Sequence, residues 1–108
     1  MSGTVNTTRL DQLRKLHAAD PSDADVCYMI AQELGKGGEH APAKEWYDRC
    51  LAADGAYCYA YFFKAISQNE TGDRPGAVAT LRQGLVHARA SGHPKSISEL
   101  SSLLEQLS

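Results

Sequence analysis

The passage "GEHAPAKEWYDRCL", Gly38 to Leu51, returns 34 residues later as "GDRPGAVATLRQGL", Gly72 to Leu85. At that offset Gly38 falls on Gly72, Glu39 on Asp73, Ala43 on Ala77, Tyr47 on Leu81 and Leu51 on Leu85. The correspondence extends upstream, with Ala31 on Ala65, Cys27 on Tyr61, and Asp20 of "AADPS" on Asp54 of "AADGA". A period of this length restricts the fold more than any other feature of the chain. Each copy is one supersecondary unit that cannot bury its apolar side alone, so neighbouring copies must stack to make a core.

Within each unit the apolar spacing is helical, as in Val26, Ile30 and Leu34, then Ala43, Tyr47, Cys50 and Leu51. Each unit is therefore predicted to be two helices. They are joined by "GKGGEHAP" in the first copy and "TGDRPG" in the second, where Gly permits a left-handed helix stop and Pro suits an opening turn. Small residues recur where the two helices of a unit must meet, Ala31 with Ala43 and Ala65 with Ala77, because larger side chains there would push the axes apart. Gly84 is expected to serve the same close packing, at a helix-propensity cost of about 1 kcal/mol relative to Ala.

These residues resemble the tetratricopeptide repeat, whose 34-residue pattern is W-x2-L-G-x2-Y, then A-x3-F, then P. The first copy offers Cys27-x2-Ile30-Ala31-x2-Leu34 and Ala43-x3-Tyr47; the second offers Tyr61-x2-Lys64-Ala65-x2-Gln68 and Ala77-x3-Leu81. The second copy departs from the family at Lys64 and Gln68, polar where the family is apolar. Gly55 stands where the closing Pro belongs, while Pro21 in "DPSD" fills that place for a partial unit before the first. The resemblance implies an all-α, right-handed superhelix of helical hairpins, about six helices in one domain. Its expected parts are a flexible tail over 1–7, a half-repeat helix over 8–19, repeats over 22–55 and 56–91, and a closing helix over 94–107. Leu10, Leu13 and Leu16 give the half-repeat helix its apolar side, and Thr8-x-x-Asp11 reads as a capping box at its start. Pro94 opens the closing helix, whose apolar side is Ile97, Leu100, Leu103, Leu104 and Leu107. Arrays of this kind need about three repeats, so the two terminal helices are expected to cover the open ends.

In proteins of this family the first helices of successive units line a concave groove that holds an extended peptide or a helix of another protein. Carried over by register, the groove residues are Asp25, Tyr28 and Gln32 from the first unit and Tyr59, Phe62, Phe63, Ile66 and Asn69 from the second. Tyr59, Phe62, Phe63 and Ile66 follow i, i+3, i+4, i+7, a continuous apolar stripe that demands a cover. Three covers stay open: the closing helix, laying Leu100 or Leu103 on Phe63 and Ile66; a second copy of the chain in a homodimer; and a foreign apolar peptide or helix. Repeat domains that clamp acidic chaperone tails use Lys and Asn on these helices. Those places here hold Tyr28, Gln32 and Phe63, which leaves no cation for a carboxylate and favours a more apolar ligand. The expected function is a non-catalytic protein–protein interaction module. The other reading is a structural subunit whose stripe serves only self-association.

Other classes find little support. The formal charge of −2 is spread without a basic stripe, so a nucleic-acid partner is not expected. No apolar run approaches a membrane span and the start "MSGTVNTTRLDQ" lacks an apolar segment behind basic residues, so a cytoplasmic chain without a membrane partner is expected. Cys27, Cys50 and Cys58 form an odd set without CxxC spacing, and none pairs at zinc-ligand spacing with His17, His40, His87 or His93. They read as reduced thiols packed as small apolar side chains, and no metal or other cofactor is expected. Asp23 and Asp25 point to different sides of a helix start, Cys50 with His87 is a poor thiol and base because Cys50 falls on a core position, and no GxxxxGK[ST] or HExxH occurs. Trp46 reads as a half-covered ring on the second helix of its unit.

Overall fold

The structure, a computed structural model, describes residues 7–108. The described chain is all-α: α1 (Thr7–Ala19), α2 (Ala24–Lys36), α3 (His40–Ala53), α4 (Cys58–Glu70), α5 (Arg74–Ser91) and α6 (Pro94–Leu107). Each helix packs on the next as a series of hairpins, most extensively α2 on α3 and α4 on α5, and α4 also touches α6. The tail expected over 1–7 lies outside the described residues as far as residue 6, and Thr7 already belongs to α1. Thr8 is thus inside the helix and does not cap it, which corrects the capping box.

The 34-residue period is written in the backbone hydrogen bonds. The stop of α2 donates from Gly37 N to Glu33 O, Gly38 N to Gly35 O and Glu39 N to Leu34 O; the stop of α4 repeats each bond as Thr71 to Ser67, Gly72 to Asn69 and Asp73 to Gln68. Gly38 and Gly72 hold φ of 80° and 87°, the left-handed region where a Cβ is strained. The turns between units repeat too. Asp20 Oδ1 accepts from Ser22 N at 3.1 Å and Asp54 Oδ1 from Ala56 N at 3.0 Å, each closing a side-chain turn that reverses the chain.

Two buried clusters form the core. Leu10 and Leu13 of α1 join Ile30, Ala31, Ala43, Tyr47 and Cys50 in the first; Tyr61, Ala65, Ala77, Leu81, Leu85 and Leu100 belong to the second. Ala31, Ala43, Ala65 and Ala77 are all fully buried, as small residues at close helix crossings must be. A Cβ at Gly84 would stand 2.7 Å from Tyr61 Cβ and 3.3 Å from Leu100 Cδ2, so glycine lets α5 approach both α4 and α6.

The polar departures of the second unit are paired. Lys64 Nζ meets Asp48 Oδ1 of α3 at 2.7 Å, and Thr80 Oγ1 of α5 donates to buried Gln68 Oε1 at 2.7 Å. The Gly55 carbonyl, in the turn between α3 and α4, accepts from Tyr61 Oη at 2.7 Å. The period breaks at α5, which has 18 residues against 14 in α3 and ends at left-handed Gly92. The extra turn delays α6, which then docks on α5 and α4 through Leu100. At the other end, Arg9 Nε meets Glu33 Oε1 at 2.6 Å, and the His17 ring stands edge-on to Trp46 at 4.7 Å, joining α1 to its neighbours.

Candidate protein-binding groove

The α2–α4 face carries a connected set of aromatic rings. Tyr28 lies 4.9 Å from Tyr57, 6.0 Å from Tyr47 and 6.2 Å from Phe63 between ring centroids. Phe63 stacks with Tyr47 at 6.4 Å and meets Phe62 edge-on at 5.1 Å. Tyr57 stands just before α4 and reaches back to the first unit, its hydroxyl donating to Asp25 Oδ1 at 2.8 Å. The Tyr47 hydroxyl donates to Gln32 Oε1, which leaves the Gln32 amide donors for another acceptor.

Beside these rings opens a cavity of about 290 Å³ lined by Gln32, Gly35 and Lys36 of α2, His40 and Tyr47 of α3, and Phe63, Ile66 and Ser67 of α4. His40 Nδ1 lies 3.5 Å from Ser67 Oγ on its wall. Burial pushes the Tyr28 phenol up to about 12, with Cys50 and Tyr59 adding to the shift, and burial likewise raises Tyr47 and Tyr57. These hydroxyls therefore stay neutral, and the surface offers rings and a few hydrogen bonds in place of reactive groups.

Of the groove residues expected from register, the structure brings Gln32, Phe63 and Ile66 to this cavity, with Tyr28 beside Phe63 and Asp25 held by Tyr57. Phe62 turns the other way, packing against the second cluster. It shares a smaller cavity of about 240 Å³ with Ser98, Glu99, Ser102, Leu103 and Gln106 of α6. The closing helix thus lies by Phe62; Leu100, one of the two residues expected on Phe63 and Ile66, lies beside Gly84, while Phe63 packs on the first cluster. Tyr59 is half-buried and Asn69 exposed, and neither lines these two cavities. Lys36, His40, Tyr47, Tyr57 and Ser67 were missed. Assigning the groove to first helices alone excludes His40 and Tyr47, and Tyr57 precedes its helix; the i, i+4 spacing of Phe63 and Ser67 was the available signal for Ser67.

The remaining chemistry-bearing residues go elsewhere. Cys27 and Cys50 are fully buried in the first cluster, Cys58 is buried in the second, and all three are free thiols. Asp23 caps α2 by accepting from Val26 N at 3.3 Å. His87 stacks on Tyr61 at 5.4 Å, and half-buried Trp46 has the Arg49 guanidinium 4.3 Å over its ring. Among the described residues no group of three or more His, Cys, Asp or Glu could hold a metal ion, and no helix is long and apolar enough to cross a membrane. No protein-family model matches the chain, and no curated protein matches it.

Proposed function

We propose that the chain is a small tetratricopeptide-like module, a right-handed stack of two repeats between capping helices, that binds an apolar peptide or helix of another protein without catalysing a reaction. The 34-residue recurrence of helix stops and turns supports the family reading. The observation that carries the binding reading is the ring-walled cavity between α2 and α4, where Phe63 and Ile66 stay partly exposed while α6 is engaged at Phe62. Burying an apolar anchor there gains roughly 25 cal/mol for each Å² removed from water, and the Gln32 amide supplies a donor to a ligand carbonyl.

Selection of a random displayed peptide library tests this reading, using Ile66→Asp as the control because Ile66 lines the cavity and belongs to neither core cluster. Apolar peptides enriched on the wild type and lost on the variant, with its helical circular dichroism intact, are expected. If nothing is enriched and light scattering shows a doubled mass that Ile66→Asp returns to monomer, the groove belongs to self-association.

A further inference from the structure

Resting on that reading, we propose that the segment held in the groove carries an acidic side chain next to its apolar anchor, and that Lys36 selects it with help from His40. No Asp or Glu lines the cavity, while Lys36 and His40 both do. Lys44 and Lys64 are both committed to Asp48, whereas Lys36 makes no ion pair among the described residues. An acid entering this rim therefore meets a cation beside apolar walls.

The turn between α2 and α3 fixes the two groups. Lys36 ends α2, His40 begins α3, and the bonds from Gly37, Gly38 and Glu39 back to α2 hold the intervening chain. The far end of the same α2 face is acidic: Asp25 lies eleven residues earlier (36 − 25 = 11), about 16 Å along the helix at a rise of about 1.5 Å per residue. Along α2 the face thus runs from an acid at Asp25 to a base at Lys36, which orients an occupant whose acid falls at the Lys36 end. This basic rim belongs to the first unit alone. One period on, Lys36 becomes Glu70, and His40 becomes Arg74, whose Nε is already spent on Leu107 O at 2.5 Å.

The test repeats the random-peptide selection on Lys36→Glu, a change at an exposed side chain. Wild type is expected to enrich Asp or Glu beside apolar residues, and Lys36→Glu to lose that preference while keeping the apolar one. A synthetic peptide from the wild-type selection should bind Lys36→Glu about tenfold or more weakly and recover when its acid is replaced by Lys. His40→Ala should weaken it less, through one lost hydrogen bond. An acidic preference unchanged by Lys36→Glu overturns this inference and leaves the groove standing. Enrichment that Ile66→Asp does not abolish, or no enrichment at all, overturns both.

Discussion

Lys64 Nζ lies 2.7 Å from Asp48 Oδ1, so the first helix of the second unit is tied to the last helix of the first. The other oxygen of Asp48 takes Lys44 at 2.8 Å, one helical turn away on α3. Burial pushes the Asp48 carboxyl up, but the hydrogen bonds from Lys44 and Lys64 more than offset it and hold the group below its ordinary 3.8. A carboxylate lowered in the folded state adds stability above its ordinary value, and that contribution is lost as pH falls through the lowered one. Asp48→Asn should therefore cost about 1 kcal/mol in urea unfolding near neutral pH. The deficit should narrow as pH drops below 3.8. A deficit of constant size would assign the effect to packing instead of charge.

Gly84 decides how closely three helices meet. A Cβ there would collide with the Cβ of Tyr61, an atom fixed to the α4 backbone and unable to swing away. Gly84→Ala gains about 1 kcal/mol of helix propensity but overpacks the crossing by about 1–3 kcal/mol, so the net effect is a lower melting temperature. Gly35→Ala is the control, since a Cβ there meets nothing within 4 Å and the change should be neutral or mildly stabilising. Equal melting temperatures for the two variants would mean that the crossing relaxes freely.

The helices and their stops were legible in the sequence because their causes are local: left-handed glycines at 38 and 72, Asp at 20 and 54, and apolar steps of three and four residues. Lys64 and Gln68 were not, because their partners, Asp48 and Thr80, lie on other helices and no period announces them. The docking of α6 was hidden for a different reason. One extra turn of α5 takes the last helix out of step with the repeat, so the period does not place Leu100, which packs in the second cluster beside Gly84. The groove was half legible: first-helix residues such as Gln32, Phe63 and Ile66 follow from register, while His40 and Tyr47 enter from α3, a second helix that the register leaves out of the groove.

The ring cluster predicts an alkaline transition. Burial is the leading cause that raises Tyr28 to about 12, and it also raises Tyr47, Tyr57 and Tyr61 above their ordinary 10.0. A phenol raised in the folded state supports the fold fully below 10.0, and its contribution is lost as pH climbs through the native value. Phenolate absorbance at a pH of about 11 should thus be lower in the native protein than in urea, and the melting temperature should fall once pH passes about 10. Tyr28→Phe should soften that alkaline fall. Identical absorbance with and without urea would show that the rings are open to water.

The three thiols give the last prediction. Burial raises all of them, Cys50 to about 12, with the neighbouring Cys27 adding to that shift. Because the thiolate is the reactive form, Cys27 and Cys50 are shielded twice: their side chains are out of contact with solvent and the proton is held. At a mildly alkaline pH, where an ordinary thiol of pKa about 8.5 reacts readily, the folded protein should leave a colorimetric disulfide reagent almost unconsumed. Unfolding in urea should release three equivalents. Cys58 lies nearer the surface at 8% exposure, so it should be the first to react when stability is lowered. Cys50→Ser should leave a fully buried hydroxyl where the first cluster has a sulfur, at a cost of about 1–3 kcal/mol. Rapid labelling of Cys50 in the folded wild type would show that the first cluster opens without global unfolding.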